Sequence, residues 1–480
     1  MSSRAEVAAI RIVNTTKAGK DSGFGSFGDK LSKLPPTGFV AVDAEFSGLG
    51  RDANLLSEDL GARYAAIRRL ADTRAIFSVG LSLFSPVSPD EDAEESKRWY
   101  EVATYDWLMS CQDDFTVNAN AGEFLVSHNF DFNRMFKKGI PYTRASTEKP
   151  PDLKGADVEK ASSPWRWDKL PRGLLWRIGR QGVPLILHNG LFDLAFMYAA
   201  FQGPLPPTLH GFIGALLDCV PAGYWDNKML ASVAAEPRSY LSYLFASAVL
   251  KDKIGVTNAH GLPSDDLADP SDEIPPDFAK DTLCELYAFR GFCARGVSCP
   301  FKHDAFAAVE REKKHELPKD SKEAFKRYKV QSKKLKSYRK TAQSELSGLS
   351  KKRKLALLAK EAGQGRKSAE GHREENSFAE LGVFGESDTE RGGIEVKPHL
   401  ISNEKKMHTA GWDAFCTGYL FAVYRERLPS ATMRETRNRI AVARKTKGLY
   451  LCKSSFGNLD ILEDGKAEET STDSDGKESE

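Results

Sequence analysis

Cysteine and long apolar runs are both scarce in this chain of 480 residues. Seven cysteines are too few for a disulfide scaffold, and four of them, Cys111, Cys219, Cys416 and Cys452, are scattered. Such thiols are expected to stay reduced, in cytosol or nucleus. No apolar run approaches the ~18 residues of a membrane-crossing helix, so no contact with a membrane is expected. The opening Met1-Ser2-Ser3-Arg4-Ala5-Glu6 lacks the apolar stretch of a secretory signal. Net charge is also scarce, at +2, but this balance hides segregation. Residues 311–360 carry 18 Lys/Arg against 5 Asp/Glu, while residues 460–480 carry 9 acids against 2 Lys. A basic block beside an acidic tail suits a nucleic-acid partner. The apolar fraction, 41%, is low for a wholly globular chain and implies a folded core with polar insertions.

The pattern predicts an α/β protein. Residues Gly38 to Gly48 (GFVAVDAEFSG), opened by Pro35-Pro36-Thr37, read as a buried strand. Leu56–Ala71 has helical spacing, and Ala75–Phe84 and Trp99–Leu108 read as the next strands of a meander. Pro184–Gly190 is a short strand before a helix over Leu191–Phe201, and helices are predicted over Tyr224–Ala235, Tyr240–Lys251, Ser321–Leu346 and residues 405–427. Asn438–Leu451 has the composition of further strands. No internal repeat is evident. The expected organisation is a flexible N-terminus (1–25), the first part of a split main domain (26–253, with a loop over 143–167) and a linker (254–279). A cysteine-rich module (280–306), a basic helix with a disordered insertion (307–395), the second part of the main domain (396–459) and an acidic tail (460–480) follow.

Alternation places Asp43 and Glu45 on one face of the opening strand, about 6–7 Å apart. Two acids on an apolar strand either reach solvent at its end or share a cation. Asp193 lies at a strand-to-helix junction, where a carboxylate is also an ordinary cap. Asp413 stands early in the last long helix, after His408, which a lead-in loop must carry if the two are to converge, since five helical residues turn about 500°. Four carboxylates in one pocket require divalent cations, and hard oxygen ligands favour Mg²⁺ or Mn²⁺ in a pair about 3.5–4 Å apart. With His408 as proton acceptor, that set could hydrolyse a phosphodiester.

The order D-x-E, Asp, H-x4-D resembles the DEDDh branch of 3′→5′ exonucleases, which have an RNase H-like fold. FVAVDAEFSGL (39–49), Phe130-Asp131-Phe132-Asn133 with Gly139-Ile140-Pro141-Tyr142, HNGLFD (188–193) and HTAGWD (408–413) with Thr417-Gly418 resemble its deadenylase subgroup, which includes poly(A)-specific ribonuclease. The resemblance implies an RNase H-like mixed sheet flanked by helices, metal ligands at Asp43, Glu45, Asp193 and Asp413, two Mg²⁺ (or Mn²⁺), and a general base at His408. It implies oligo(A) or poly(A) at single-stranded RNA 3′ ends as substrate, 5′-mononucleotides as product, and protein partners in RNA-processing complexes. Asp226, at a recurrent family position, reads as a structural helix cap.

Cys284-x8-Cys293-x5-Cys299-x3-His303 is a CCCH pattern suited to tetrahedral Zn²⁺. Phe289, Phe292 and Phe301 are candidates for stacking on single-stranded RNA; a purely structural or protein-binding knuckle is the alternative. A CCCH insertion at this place resembles the nuclear deadenylase family called target of early growth response, which trims adenosine tails from small nuclear RNA precursors. Lys351-Lys352-Arg353-Lys354 fits a nuclear-import signal or a solvated helix face. A nuclear 3′→5′ exoribonuclease is therefore expected, with a non-catalytic RNA-binding adaptor or a DEDDh exonuclease of broader RNA/DNA specificity as rivals.

Overall fold

The computed structural model describes residues 12–15, 23–50, 52–87, 99–128, 130–145, 172–251, 255–258, 282–348, 394–395 and 409–453. Nine strands among them form one mixed sheet. They are β1 (Ile12–Thr15), β2 (Phe39–Phe46), β3 (Ile76–Val87), β4 (Trp99–Cys111), β5 (Ile140–Tyr142), β6 (Leu185–Leu187), β7 (Tyr224–Asp226), β8 (Gly255–Asn258) and β9 (Ile394–Glu395). A separate hairpin pairs β10 (Arg439–Val442) with β11 (Lys445–Tyr450). The expected meander is present as antiparallel β2-β3-β4, and β6 and β7 add parallel to β2 on its other side. The central order β4-β3-β2-β6-β7 is the RNase H-like arrangement the sequence pointed to.

Two expectations are corrected. Tyr224–Asp226 is a strand rather than the start of a helix, which begins only at Asn227. Gly255–Asn258, read as the start of a linker, pairs parallel with β4. Within the stretch read as a loose N-terminus, Ile12–Thr15 also pairs with β4. The 146–167 part of the expected loop, most of the linker and the acidic tail lie outside the described residues. No helix among the described residues is long and apolar enough to cross a membrane.

Strand alternation sorts the core into two layers. Val40, Val42 and Ala44 of β2 face a core shared with the helices Leu60–Ala71 and Leu191–Phe201. Phe39 and Ala41 face the opposite way, toward the helix Ala410–Arg427. That helix is buried nearly all round from Ala410 to Tyr424, as one sandwiched between layers must be. It lies unusually close to the sheet because glycine stands at both points of closest approach. A Cβ on Gly80 of β3 would come within 1.8 Å of the Ala410 carbonyl oxygen, and one on Gly418 within 2.0 Å of the Phe84 ring. Gly80 to Phe84 spans about 13 Å of strand and Ala410 to Gly418 about 12 Å of helix, so the two contacts are in step.

Candidate active site

Asp43 and Glu45 extend the row Phe39-Ala41 on the face that carries the Ala410–Arg427 helix. Phe421 of that helix meets Phe39 edge-on at 4.9 Å between ring centroids. Eight residues nearer its N-terminus, about 12 Å along the axis, stands Asp413. Four residues of strand carry the chain about the same distance from Phe39 to Asp43. The match brings the acids together: oxygens of Asp43, Glu45 and Asp413 all lie within 4.8 Å of one another. Asp193 reaches the same strand from the Leu191–Phe201 helix, where its Oδ1 accepts the Ala44 amide at 3.1 Å. Asp193 and Asp413 both occupy first turns of helices, where the macrodipole favours negative charge.

The four acids are only partly covered, yet lie deep enough to lose much of their hydration. Burial raises the Asp43 carboxyl well above its ordinary range, and Asp193, Asp413, Glu45 and Asp106 add to the rise. Glu45 is raised well above its range too, by burial and then by Asp413, Asp106 and Asp193. Burial takes Asp193 and Asp413 to about 7. Such a set either holds protons or holds cations. Its donors are all carboxylate oxygens, so hard divalent ions fit it.

Asp226 is confirmed as structural. It caps the Asn227–Val233 helix through the Lys228 amide and also accepts from the amides of Asn189, Gly190 and Ala441. Asn189 is held at φ 59°, which turns the chain sharply into the helix bearing Asp193. His408 lies outside the described residues, one before Thr409, whose hydroxyl caps the Asp413 helix by accepting the Trp412 amide. Lys351, Lys352, Arg353 and Lys354 also lie outside them.

Asp106, on β4, was missed from the sequence. It sits beside the cluster and raises the carboxyls of Asp43, Glu45 and Asp413. Its only signal was an acid between two aromatic residues, Tyr105 and Trp107, in a strand that also carries Glu101.

The family model for CAF1 family ribonuclease matches residues 29–163 and 172–421, which is most of the chain. The chain belongs to this family. Among curated relatives, mouse (Mus musculus) poly(A)-specific ribonuclease PNLDC1 is 30% identical over 119 residues, 23% of this chain and 22% of that protein. Human (Homo sapiens) poly(A)-specific ribonuclease PARN is 28% identical over 117 residues, 23% of this chain and 18% of that one. The chain thus spans about a fifth of the length of these curated relatives. Among solved structures, Schizosaccharomyces pombe Pop2p in a Mg²⁺- and Mn²⁺-bound form aligns at 19% identity and TM-score 0.34, over 51% of this chain and 83% of that one.

The CAF1 scaffold here carries a second cluster on the helix-covered face. Ligand atoms of Cys284, Cys293, Cys299 and His303 lie within 4.8 Å of one another. Hydrogen bonds from Cys284 and then Cys299 push the Cys293 thiol far down, and the cysteines hold His303 up at about 9 against the effect of burial. His303 Nε2 is buried with no hydrogen-bond partner. Three sulfurs and an orphaned imidazole nitrogen fit Zn²⁺. Around them, Cys284 precedes the helix Glu285–Arg290, and Gly291 at φ 71° ends it against the Tyr240 ring. The Tyr287 ring stacks on His303, 4.8 Å apart and 6° from parallel.

Far from hanging off the domain, this module shares its core. Cys284, Tyr287, Ala288, Cys293 and Phe301 join one buried cluster with Phe39, Phe84, Phe415 and Tyr328. The three candidate stacking rings therefore differ. Phe301 is buried edge-on against Tyr328 of the helix Ser321–Gly348, so it has no face for a base. Phe289 is half-buried under the Arg238 guanidinium. Phe292 alone of the three is exposed, at 48%, with Arg290 over its ring.

Proposed function

We propose that this chain is a divalent-cation-dependent 3′→5′ exoribonuclease that removes adenosine-rich tails from RNA 3′ ends in the nucleus. Small nuclear RNA precursors are the substrates we favour, and 5′-mononucleotides the products. The observation that carries the reading is the convergence of Asp43, Glu45 and Asp413 within 4.8 Å, with Asp193 fastened to the same strand.

In this reading Asp43, Glu45, Asp193 and Asp413 hold Mg²⁺ or Mn²⁺. When bound, such ions supply a water activated near neutral pH and offset charge on the leaving oxygen. The chain supplies the rest. The four acids project from three rigid elements, which keeps the ligand set in place without rearrangement. The Asp193 helix and the Asp413 helix both aim N-termini at the pocket, which adds attraction for a phosphodiester. His408, one residue before the Thr409 cap, accepts the proton of the attacking water.

Upstream RNA has two candidate supports. Phe292 with Arg290 offers one stacking platform, and Phe325 on the Ser321–Gly348 helix, 51% exposed beneath Lys329, offers another amid a run of lysines. We further propose that the module gathers one Zn²⁺ and that protein partners deliver the substrate. A sequencing-gel assay in Mg²⁺ with matched oligo(A), oligo(U) and single-stranded DNA tests the reading. Stepwise loss of 3′ adenosines, fastest on oligo(A) and absent in Asp43→Ala, supports it. Equal rates on all three would leave an exonuclease of broad specificity. No cleavage by the wild type, with RNA still bound, would leave a binding adaptor.

A further inference from the structure

Three strands place their residues in one transverse row here: Asp43 of β2 pairs with Gly80 of β3, and Gly80 with Asp106 of β4. All three lie on the face that carries the Ala410–Arg427 helix. The missing side chain at Gly80 leaves a gap between two acids, and the Ala410–Gly411 backbone settles into it. The first turn of the helix is therefore straddled. Asp413 leans to the β2 side and joins Asp43 and Glu45. On the β4 side, the Ser78 hydroxyl donates to Asp106 Oδ1; burial raises the Asp106 carboxyl, and Ser78 and then the Gly411 amide act against that rise. Ser78 and Gly80 point the same way from β3, so the brace is built from neighbouring rows of one strand.

The Gly411 amide is one of the donors that a helix start leaves without an intrahelical acceptor. It needs a partner in this covered position. Asp106, on a strand that carries none of the other acids, is the carboxylate that this amide influences. Asp106 is not among the three acids whose oxygens lie within 4.8 Å of one another.

We propose that Asp106 is a positioning residue. Through the Gly411 amide it seats the start of the last helix over Gly80, and so fixes Asp413 in the cation-binding set. The inference rests on the reading of the four acids as cation ligands.

Two replacements separate bracing from direct ligation. Asp106→Asn has the same shape: its amide oxygen still accepts from Gly411, while its NH₂ donates to a Ser78 hydroxyl that rotates to accept. Asp106→Ala removes the brace altogether. The readout is Mn²⁺ binding by calorimetry to the full zinc-loaded chain without RNA, with Asp43→Ala as the blank and thermal midpoints as a check on folding. Outer partners of metal ligands typically govern affinity by 10–100-fold. Asp106→Ala should therefore weaken Mn²⁺ by ~10-fold or more, and Asp106→Asn should recover most of that loss. Gly80→Ala, which displaces the Ala410–Gly411 backbone, should reproduce the Asp106→Ala defect.

Asp106→Ala binding Mn²⁺ like the wild type would overturn the proposal alone. So would Asp106→Asn losing as much as Asp106→Ala, because the negative charge and not the hydrogen bonding would then be what matters. If Asp106→Ala fails to fold, the Asn and Gly80 variants decide the question between them. A wild-type chain that takes up no Mn²⁺ would overturn this inference together with the reading beneath it.

Discussion

The acid cluster and the CCCH cluster each gather ligand atoms within 4.8 Å, but they are held in opposite ways. The acids come from long elements whose other residues are packed: a central strand and two buried helices. Nothing in that framework needs an ion in order to form. The acids only repel one another until a cation, or protons, arrive. The thiols flank a six-residue helix and a three-residue turn, with Cys293 between them. Segments that short cannot hold a shape by propensity alone, and their ligands are what join them. One centre is a finished scaffold whose donors suit a cation, while the other is a short module joined through its own ligand atoms.

That contrast breaks most sharply on ligand removal. Asp43→Ala should abolish exonucleolysis, by more than the ~10–100-fold typical of outer-shell losses, with little change in thermal midpoint. A single-turnover assay beside a melting curve checks both. Cys293→Ser should do the reverse, giving insoluble or poorly folded protein, because the module shares a core with Phe39 and Phe415. Soluble, folded Cys293→Ser protein would show that the core survives without zinc.

Next in size is Asp226→Ala, which strips an acceptor from the amides of Asn189, Gly190, Lys228 and Ala441 together. Leaving such donors buried should cost about 3 kcal/mol, read by denaturant unfolding.

Proton linkage gives a smaller effect that belongs to the acid cluster. Folding lifts Asp193 and Asp413 to about 7, against about 3.9 for an unfolded aspartate. The folded chain then holds more protons between those values, so without cations its stability falls as pH rises through that window. The thermal midpoint of zinc-loaded, magnesium-free protein should drop by ~5 °C from pH 6 to 8, and Mg²⁺ should restore more at pH 8 than at pH 6. A flat profile would mean that the acids stay hydrated. The smallest effect is expected from Phe292→Ala: ~5-fold weaker binding of long oligo(A), the scale of one lost stacking contact, with trimers unaffected.

Much of the acid site was legible because strand alternation and helix starts are local signals. Asp43 and Glu45 announce a shared face through their spacing, and Asp193 and Asp413 announce helix first turns. The same local logic failed where partners are remote. Asp106 looked like an ordinary polar interruption of β4, since only the register with Gly80 shows what lies above it. Phe301 had the spacing of a stacking ring, but its fate was set by Tyr328, on a helix still to come. Tyr224–Asp226 resembled a helix start because three residues are too few to display a period of two.

The vacancy at Gly80 has a consequence for how the protein comes to life. Its occupant is translated long after the sheet that offers the seat, on the far side of the cysteine module. A ribosome that stops before Asp413 releases a chain that has the sheet but lacks the acid that closes the cluster.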